Sequence, residues 1–127
     1  MPVKFRARSR QSRVETVTTE LLAASVDKNI FIAPRPCKVQ NVQFATTVVG
    51  GAGAAIVVRA CTGTQAPSAG TAMTSSMDLQ NTVINTVTTP TLTESATYLK
   101  AGDRIAVDFS GTLTGLVGVL HVIVEFY

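Results

Sequence analysis

Few side chains in this 127-residue sequence could do chemistry: one histidine, two cysteines and eight carboxylates. His121 sits in the apolar run Leu116–Val124, so a Ser–His–Asp relay would have to recruit its base from the middle of a strand face. An imidazole packed at an interface is the plainer reading. A metal centre needs several converging His, Cys or carboxylate ligands, and neither Cys37 nor Cys61 has a neighbour at ligand spacing. The acids are too dispersed for a calcium cage. Gly50-Gly51-Ala52-Gly53 superficially resembles a phosphate-cradling loop, but it lacks the Lys-Ser/Thr ending and leads into Ile56-Val57-Val58, a strand and no helix. It reads as a hairpin tip. Asp103 and Asp108 flank Arg104 and read as salt-bridge partners, not as paired acid–base carboxylates. No catalytic residue, metal or cofactor is expected, which directs attention to a role in an assembly.

The net charge of +3 conceals an asymmetry. Residues 1–13 carry Lys4, Arg6, Arg8, Arg10 and Arg13 and no acid, whereas residues 14–127 carry six bases and eight acids. The expected division is a basic N-terminal arm over 1–13 and a domain over 14–127. Such an arm suits an acidic protein surface, or else serves as a solvated tail that keeps the chain soluble. Nucleic acid would call for aromatics interleaved with the bases, and only Phe5 is available. The apolar runs are too short to span a bilayer, and none follows the basic start as a secretory signal would require. Neither nucleic acid nor membrane is an expected partner.

The elements that must position these residues are strands. Val, Ile and Thr together make 41 of the residues, and β-branched side chains pack well on a pleated surface while losing rotamer freedom on a helix. Residues 14–24 are the ambiguous stretch. Val14, Val17, Leu21 and Ala24 fit a helical stripe and Ser12 with Glu15 fits a capping box, but the run Thr16-Val17-Thr18-Thr19 favours an extended strand. Ile30-Phe31-Ile32 is a strand closed by Pro34 and Pro36. Cys37, Val39, Val42 and Phe44 alternate with polar partners, and a slip of phase at Gln40-Asn41 implies a bulge. Residues 62–76 read as a long surface loop and 81–93 as weak strands broken at Pro90. Ile105, Val107 and Phe109 alternate cleanly. If residues 50–53 close a hairpin, Cys37 and Cys61 lie roughly 17 Å apart by strand rise, beyond the ~7 Å a disulfide bridges, so both are expected as buried free thiols.

Seven to nine short strands with Gly and Pro turns make an all-β, antiparallel β-sandwich. The last strand carries Leu120, Val122, Val124 and Phe126 on one face and Val119, His121, Ile123 and Glu125 on the other. A strand with one solvated face should not carry Val and Ile outward. A sandwich of this size is expected to have no third layer, so Val119, His121 and Ile123 are the candidate oligomer interface, in a closed symmetric assembly.

The segment Tyr98-Leu99-Lys100-Ala101-Gly102-Asp103-Arg104-Ile105-Ala106-Val107-Asp108-Phe109-Ser110-Gly111, followed by a hydrophobic closing strand, resembles the closing part of jelly-roll domains in tailed-bacteriophage virion proteins, the capsid decoration (cement) proteins above all. It is similar also to the end of secreted trimeric jelly rolls, though the Ala-, Thr- and Gly-rich strands upstream suit the phage group better. The motif, Leu-x-x-Gly-Asp, is a structural turn. The resemblance implies a jelly-roll-like fold, a homotrimer, a place on the capsid surface of a virion after synthesis in the host cytoplasm, and the major capsid protein as partner; it carries no active site across. The arm residues Lys4, Arg6, Arg8, Arg10 and Arg13 are then the candidate capsid contacts. The alternatives are a receptor- or glycan-binding head or tail-fibre module, which would present residues 62–76 outward, and a head-closure connector.

Overall fold

The computed structural model describes residues 13–127. Nine strands follow one another: β1 (Arg13–Leu22), β2 (Lys28–Ile32), β3 (Cys37–Val48), β4 (Ala55–Cys61), β5 (Thr71–Ala72), β6 (Met77–Asp78), β7 (Tyr98–Leu99), β8 (Arg104–Ser110) and β9 (Val117–Phe126). The ambiguity at 14–24 resolves to strand. A helical stripe would have hidden Val14, which is exposed, whereas Leu21 is buried and Val17 and Thr19 are half-buried on the same side of β1. Period two wins over period 3.6 because β1 lies along β9 residue by residue, from Arg13 opposite Phe126 to Leu22 opposite Val117.

The strands form two sheets, one ordered β1-β9-β3-β7 and the other β2-β8-β4-β5 with β6 also on β4. All pairs are antiparallel. Apart from the short β5 and β6, successive strands switch from one sheet to the other, which is the wiring of a jelly roll. The core lies between the sheets. Val39, Val42, Phe44, Leu120, Val122, Val124 and Phe126 from the first meet Ile56, Val58, Ile105 and Val107 from the second. The register of β3 on β9 shifts between Val39 and Asn41. This is the bulge that lets both Val39 and Val42 point inward despite their odd spacing.

Four expectations need correction. The first is the hairpin: β3 and β4 belong to different sheets, so Gly50–Gly53 is a corner between layers. The Gly50 N–H donates to the Leu79 carbonyl at 2.9 Å and the Gly51 N–H to the Thr112 carbonyl at 2.8 Å. Cys37 lies opposite Leu99 and Phe126 in one sheet and Cys61 opposite Arg104 in the other. Both thiols are buried and free, as expected, though sheet membership and not hairpin register separates them. Burial, reinforced by the Asp103 charge, pushes the Cys37 thiol above its ordinary pKa.

Residues 62–76 are the second correction. They are exposed over most of their length, as a surface loop should be, but they are anchored to the second sheet. The 3-10 turn Pro67–Ala69 packs on β4 and β8, β5 pairs with Arg59 and Ala60, and Met73 is fully buried with its N–H on the Val58 carbonyl at 2.8 Å. The segment covers part of the outer face of the second sheet, where Cys61 and Ala106 are sealed from solvent. That cover is the third layer the sandwich was expected to lack. A side chain at Gly70 would sit 2.5 Å from Cys61 Sγ and 2.6 Å from the Ala60 carbonyl, so only glycine lets the chain lie this close.

Third, residues 81–93 form no strand; two isolated bridges, Phe44 with Thr88 and Thr74 with Leu92, tie that neighbourhood to the sheets. Fourth, Arg104 makes no salt bridge with Asp103 or Asp108. Its guanidinium donates to Asn29 Oδ1 at 2.6 Å and to the carbonyls of Gly63 and Gln65 at 3.1 and 2.8 Å. On a strand, consecutive side chains point to opposite faces, so sequence adjacency set none of these pairings.

Candidate interaction surface

The outer face of the first sheet is built in rows across β1, β9 and β3, because cross-strand neighbours share a face. Leu22, Val117 and Val48 make one row, with 38%, 43% and 46% exposure. Glu20, Val119 and Ala45 make the next, then Thr18, His121 and Gln43, then Thr16, Ile123 and Asn41. The predicted interface residues Val119, His121 and Ile123 are therefore brought together on the central strand. Each is half-buried by its lateral neighbours, and among the described residues neither sheet places a strand over them. Val119 and His121 also line a shallow groove of about 60 Å³ with Gln43, Ala45 and Val87. Val87, Val83 and Ile84 are exposed, so the apolar row extends past the edge of β3.

Of the predicted arm residues, Lys4, Arg6, Arg8 and Arg10 lie outside the described residues. Arg13 is the first residue of β1. Its guanidinium bonds Glu15 at 2.9 Å and sits 5.7 Å from the centre of the Phe126 ring. Arg35 lies 5.4 Å from that same ring. The start of β1 is thus fixed by a ring that closes the core.

At the other edge of this sheet stands a cluster that the sequence did not announce. Lys38 Nζ bonds Glu94 at 2.6 Å and lies 5.0 Å from the centre of the Tyr98 ring. The hydrogen bond to Glu94 holds the Lys38 ammonium above its ordinary pKa. Gln40 Nε2 donates to Glu125, and Tyr98 and Tyr127 are both exposed. Only the pairing of β3 with β7 and β9 assembles this group, from residues 38–40, 94–98 and 125–127, so no local motif could have revealed it.

The Leu99–Asp103 turn explains its own residues. Leu99 enters the core, Gly102 adopts φ +90°, and the Asp103 carboxylate accepts the Lys100 N–H at 2.9 Å. The Gly102 N–H bonds the Ala33 carbonyl and the Ala33 N–H bonds the Asp103 carbonyl, each at 2.8 Å. The turn locks the Pro34–Pro36 connection to the head of β8. Among the described residues, no three His, Cys, Asp or Glu side chains converge on a point that could hold a metal ion, and no helix is long and apolar enough to cross a membrane.

No protein-family model matches the sequence, and no curated protein does. The fold does match solved structures. A chain of the acid-stable capsid of Helicobacter pylori bacteriophage KHP30 superposes with a TM-score of 0.57 at 13% identity, over 91% of this chain and 92% of that one. A chain of the capsid asymmetric unit of cyanophage Pam1 gives 0.51 at 13% identity, over 92% and 84%. The match runs nearly end to end in both. The chain is a jelly-roll-like β-sandwich with the fold of chains found in two phage capsids.

Proposed function

We propose that this chain is a structural protein of a phage virion that binds the outer surface of the capsid as an oligomer, and so acts as a decoration or cement protein. The observation that carries the reading is the near-complete superposition on chains of two phage capsids. The mechanism is clamping. A subunit that binds only the assembled shell stabilises that state by mass action, and several footprints on one oligomer add avidity. The partner is the major capsid protein. Lys4, Arg6, Arg8, Arg10 and Arg13 contribute electrostatic attraction to an acidic shell. Val119, His121 and Ile123 face a neighbouring subunit, a trimer being the favoured assembly. The alternative is a glycan- or receptor-binding module, in which the exposed outer side of residues 62–76 would face a host surface.

Band intensities on a stained gel of purified virions test the reading. A decoration protein appears at a copy number comparable to the major capsid protein, and a fibre module at a small fraction of it. Binding of the purified protein to bare capsids should weaken as salt rises from low to about 0.5 M, as surface charges are screened. Ile123→Asp should sediment as a monomer, since a carboxylate in a subunit contact is desolvated without a partner. An oligomer that survives this substitution removes the outer face of β9 from the interface.

A further inference from the structure

We propose that the side of the sandwich between β3 and β6 carries a binding site for a neutral oligosaccharide, formed by two adjoining depressions that share Ser76 and Asp78. The inference adds a ligand to a shell-binding protein and does not depend on that reading.

The site follows from the placement of β6. Met77 pairs with Ile56, and Asp78 with Ala55. Because side chains alternate along a strand, Met77 enters the core while Ser76 and Asp78 face outward, where both are exposed. On one side of that pair lies a depression of about 260 Å³ toward β3. Its floor is apolar: Phe44 and Met77, both buried, with Pro90 as a wall. Its rim carries the hydroxyls of Ser75, Ser76, Thr82 and Thr88. None of these hydroxyls bonds another protein group among the described residues. On the other side of the pair lies a second depression, of about 390 Å³, toward the start of β4. Gly53, Ala54 and Ala55 wall it with small residues, and Gln80 stands at its rim.

The rim is held in place without a ligand. The Phe44 and Thr88 backbones exchange both of their hydrogen bonds, at 2.9 and 2.8 Å. The Ser75 N–H bonds the Thr91 carbonyl at 3.0 Å. The Asp78 carboxylate accepts the Gln80 and Asn81 N–H groups and the Asn81 side-chain amide. Gln80 Oε1 accepts the Gly53 N–H at 3.0 Å, which fixes this side chain and leaves its Nε2 to a ligand. A fixed rim lowers the ordering cost of binding.

The lining selects the class of ligand. Sugar hydroxyls both donate and accept, so they need partners of both kinds beside an apolar surface for the C–H groups of the ring. The side-chain hydroxyls of the rim do both, Gln80 Nε2 donates and Asn81 Oδ1 accepts. Asp78 accepts three hydrogen bonds, and a carboxylate takes about four, so one place remains for a hydroxyl donor. Neither depression is lined by Lys, Arg or His, and the carboxylate they share repels anions. Phosphate, sulfate and acidic sugars are therefore disfavoured. A peptide strand docks through main-chain bonds to a sheet edge, but the N–H groups of Ser75, Leu79, Gln80 and Asn81 are already bonded within the chain. Both volumes lie near the lower end of the ~300–1,000 Å³ of small-molecule sites, which suits one sugar unit in each depression.

The test follows the amide NMR spectrum of the isotope-labelled full chain. Maltose, cellobiose, diacetylchitobiose and mannobiose are titrated in, with their monosaccharides, digalacturonate and the peptide Ala-Ser-Thr-Ala as comparisons. The expected result is that one or more of the disaccharides binds with a Kd at or below about 1 mM, with shifts centred on residues 53–55, 75–82 and 88–90. Its monosaccharide binds about tenfold more weakly, because it fills one depression only. Ser76→Ile sets a branched side chain on the shared ridge and abolishes the shifts. Thr88→Val removes one hydroxyl at nearly constant shape and weakens binding about three- to tenfold, a readout that stands even if Ser76→Ile misfolds. Silence toward all the disaccharides overturns the proposal. So does a response to digalacturonate or to the peptide as strong as that to the best disaccharide, or a disaccharide affinity that neither variant lowers. Binding of the same variants to bare capsids, measured in parallel, reports on shell binding alone, so failure of the sugar site is distinguishable from failure of that reading.

Discussion

Arg59 Nε donates to Asp108 Oδ2 at 2.9 Å on the outer face of the second sheet, where each side chain keeps about a fifth of its exposure. The two are diagonal neighbours on β4 and β8, and Arg59 Nη1 reaches on to the Gly70 carbonyl at 3.2 Å. One guanidinium thus ties the sheet to the segment that covers it.

Removing one partner should cost more than removing both. Asp108→Ala leaves a mostly buried guanidinium uncompensated, and is expected to destabilise by about 2 kcal/mol, less than for a fully buried pair because water still reaches the site. Arg59→Met combined with Asp108→Leu should cost less than Asp108→Ala alone. Urea unfolding of the single and double variants checks this. A double variant as unstable as the sum of Arg59→Met and Asp108→Leu made singly would show that the residues are energetically independent.

Two glycines with positive φ should respond differently to alanine. At Gly102, φ is +90° and a Cβ would meet nothing within 4 Å, so Gly102→Ala carries only the left-handed backbone penalty of about 1–2 kcal/mol. At Gly111, φ is +75° and a Cβ would lie 2.1 Å from the Gly53 carbonyl oxygen. Gly111→Ala should therefore add a steric cost on top of the same backbone penalty and push apart the corner where Gly53 and Gly111 meet. Thermal melts should rank the wild type above Gly102→Ala, and Gly102→Ala well above Gly111→Ala.

Asp78 supplies a pH dependence with a definite sign. Its carboxylate accepts the N–H groups of Asn81 and Gln80 at 3.0 and 2.8 Å and the Asn81 side-chain amide at 3.0 Å. These bonds, the Asn81 backbone N–H first, hold its pKa below the usual carboxylate value. The unfolded chain then binds the proton more readily than the folded one. The stabilisation is complete above the ordinary aspartate range and is lost as pH falls through the lower folded value. Wild type should be more stable than Asp78→Asn at pH 6, and the gap should close on acidification toward pH 2. A gap independent of pH would show that the charged carboxylate is not its source.

The sequence by itself determined what depends on near neighbours. Alternation placed strands at Ile105–Phe109 and Leu116–Tyr127, the phase slip at Gln40-Asn41 marked the bulge, and Leu99-x-x-Gly102-Asp103 encoded a turn closed locally by the two bonds between Lys100 and Asp103. The apolar outer positions Val119 and Ile123 were equally legible, because both faces of one strand can be read off one stretch of chain. What only the tertiary structure decided is which strand meets which. Period-two patterning states which side of a strand is apolar but not its neighbour, so the contiguous β3 and β4 read as a hairpin, while the two-layer core sends β3 to β9 and β4 to β8. For the same reason Arg104 reaches Asn29 and the 62–65 turn instead of the adjacent aspartates, and residues 62–70 become a cover for the second sheet. Those partners lie up to 75 residues apart in the chain, and burial between layers, which no local pattern encodes, is what brings them into contact.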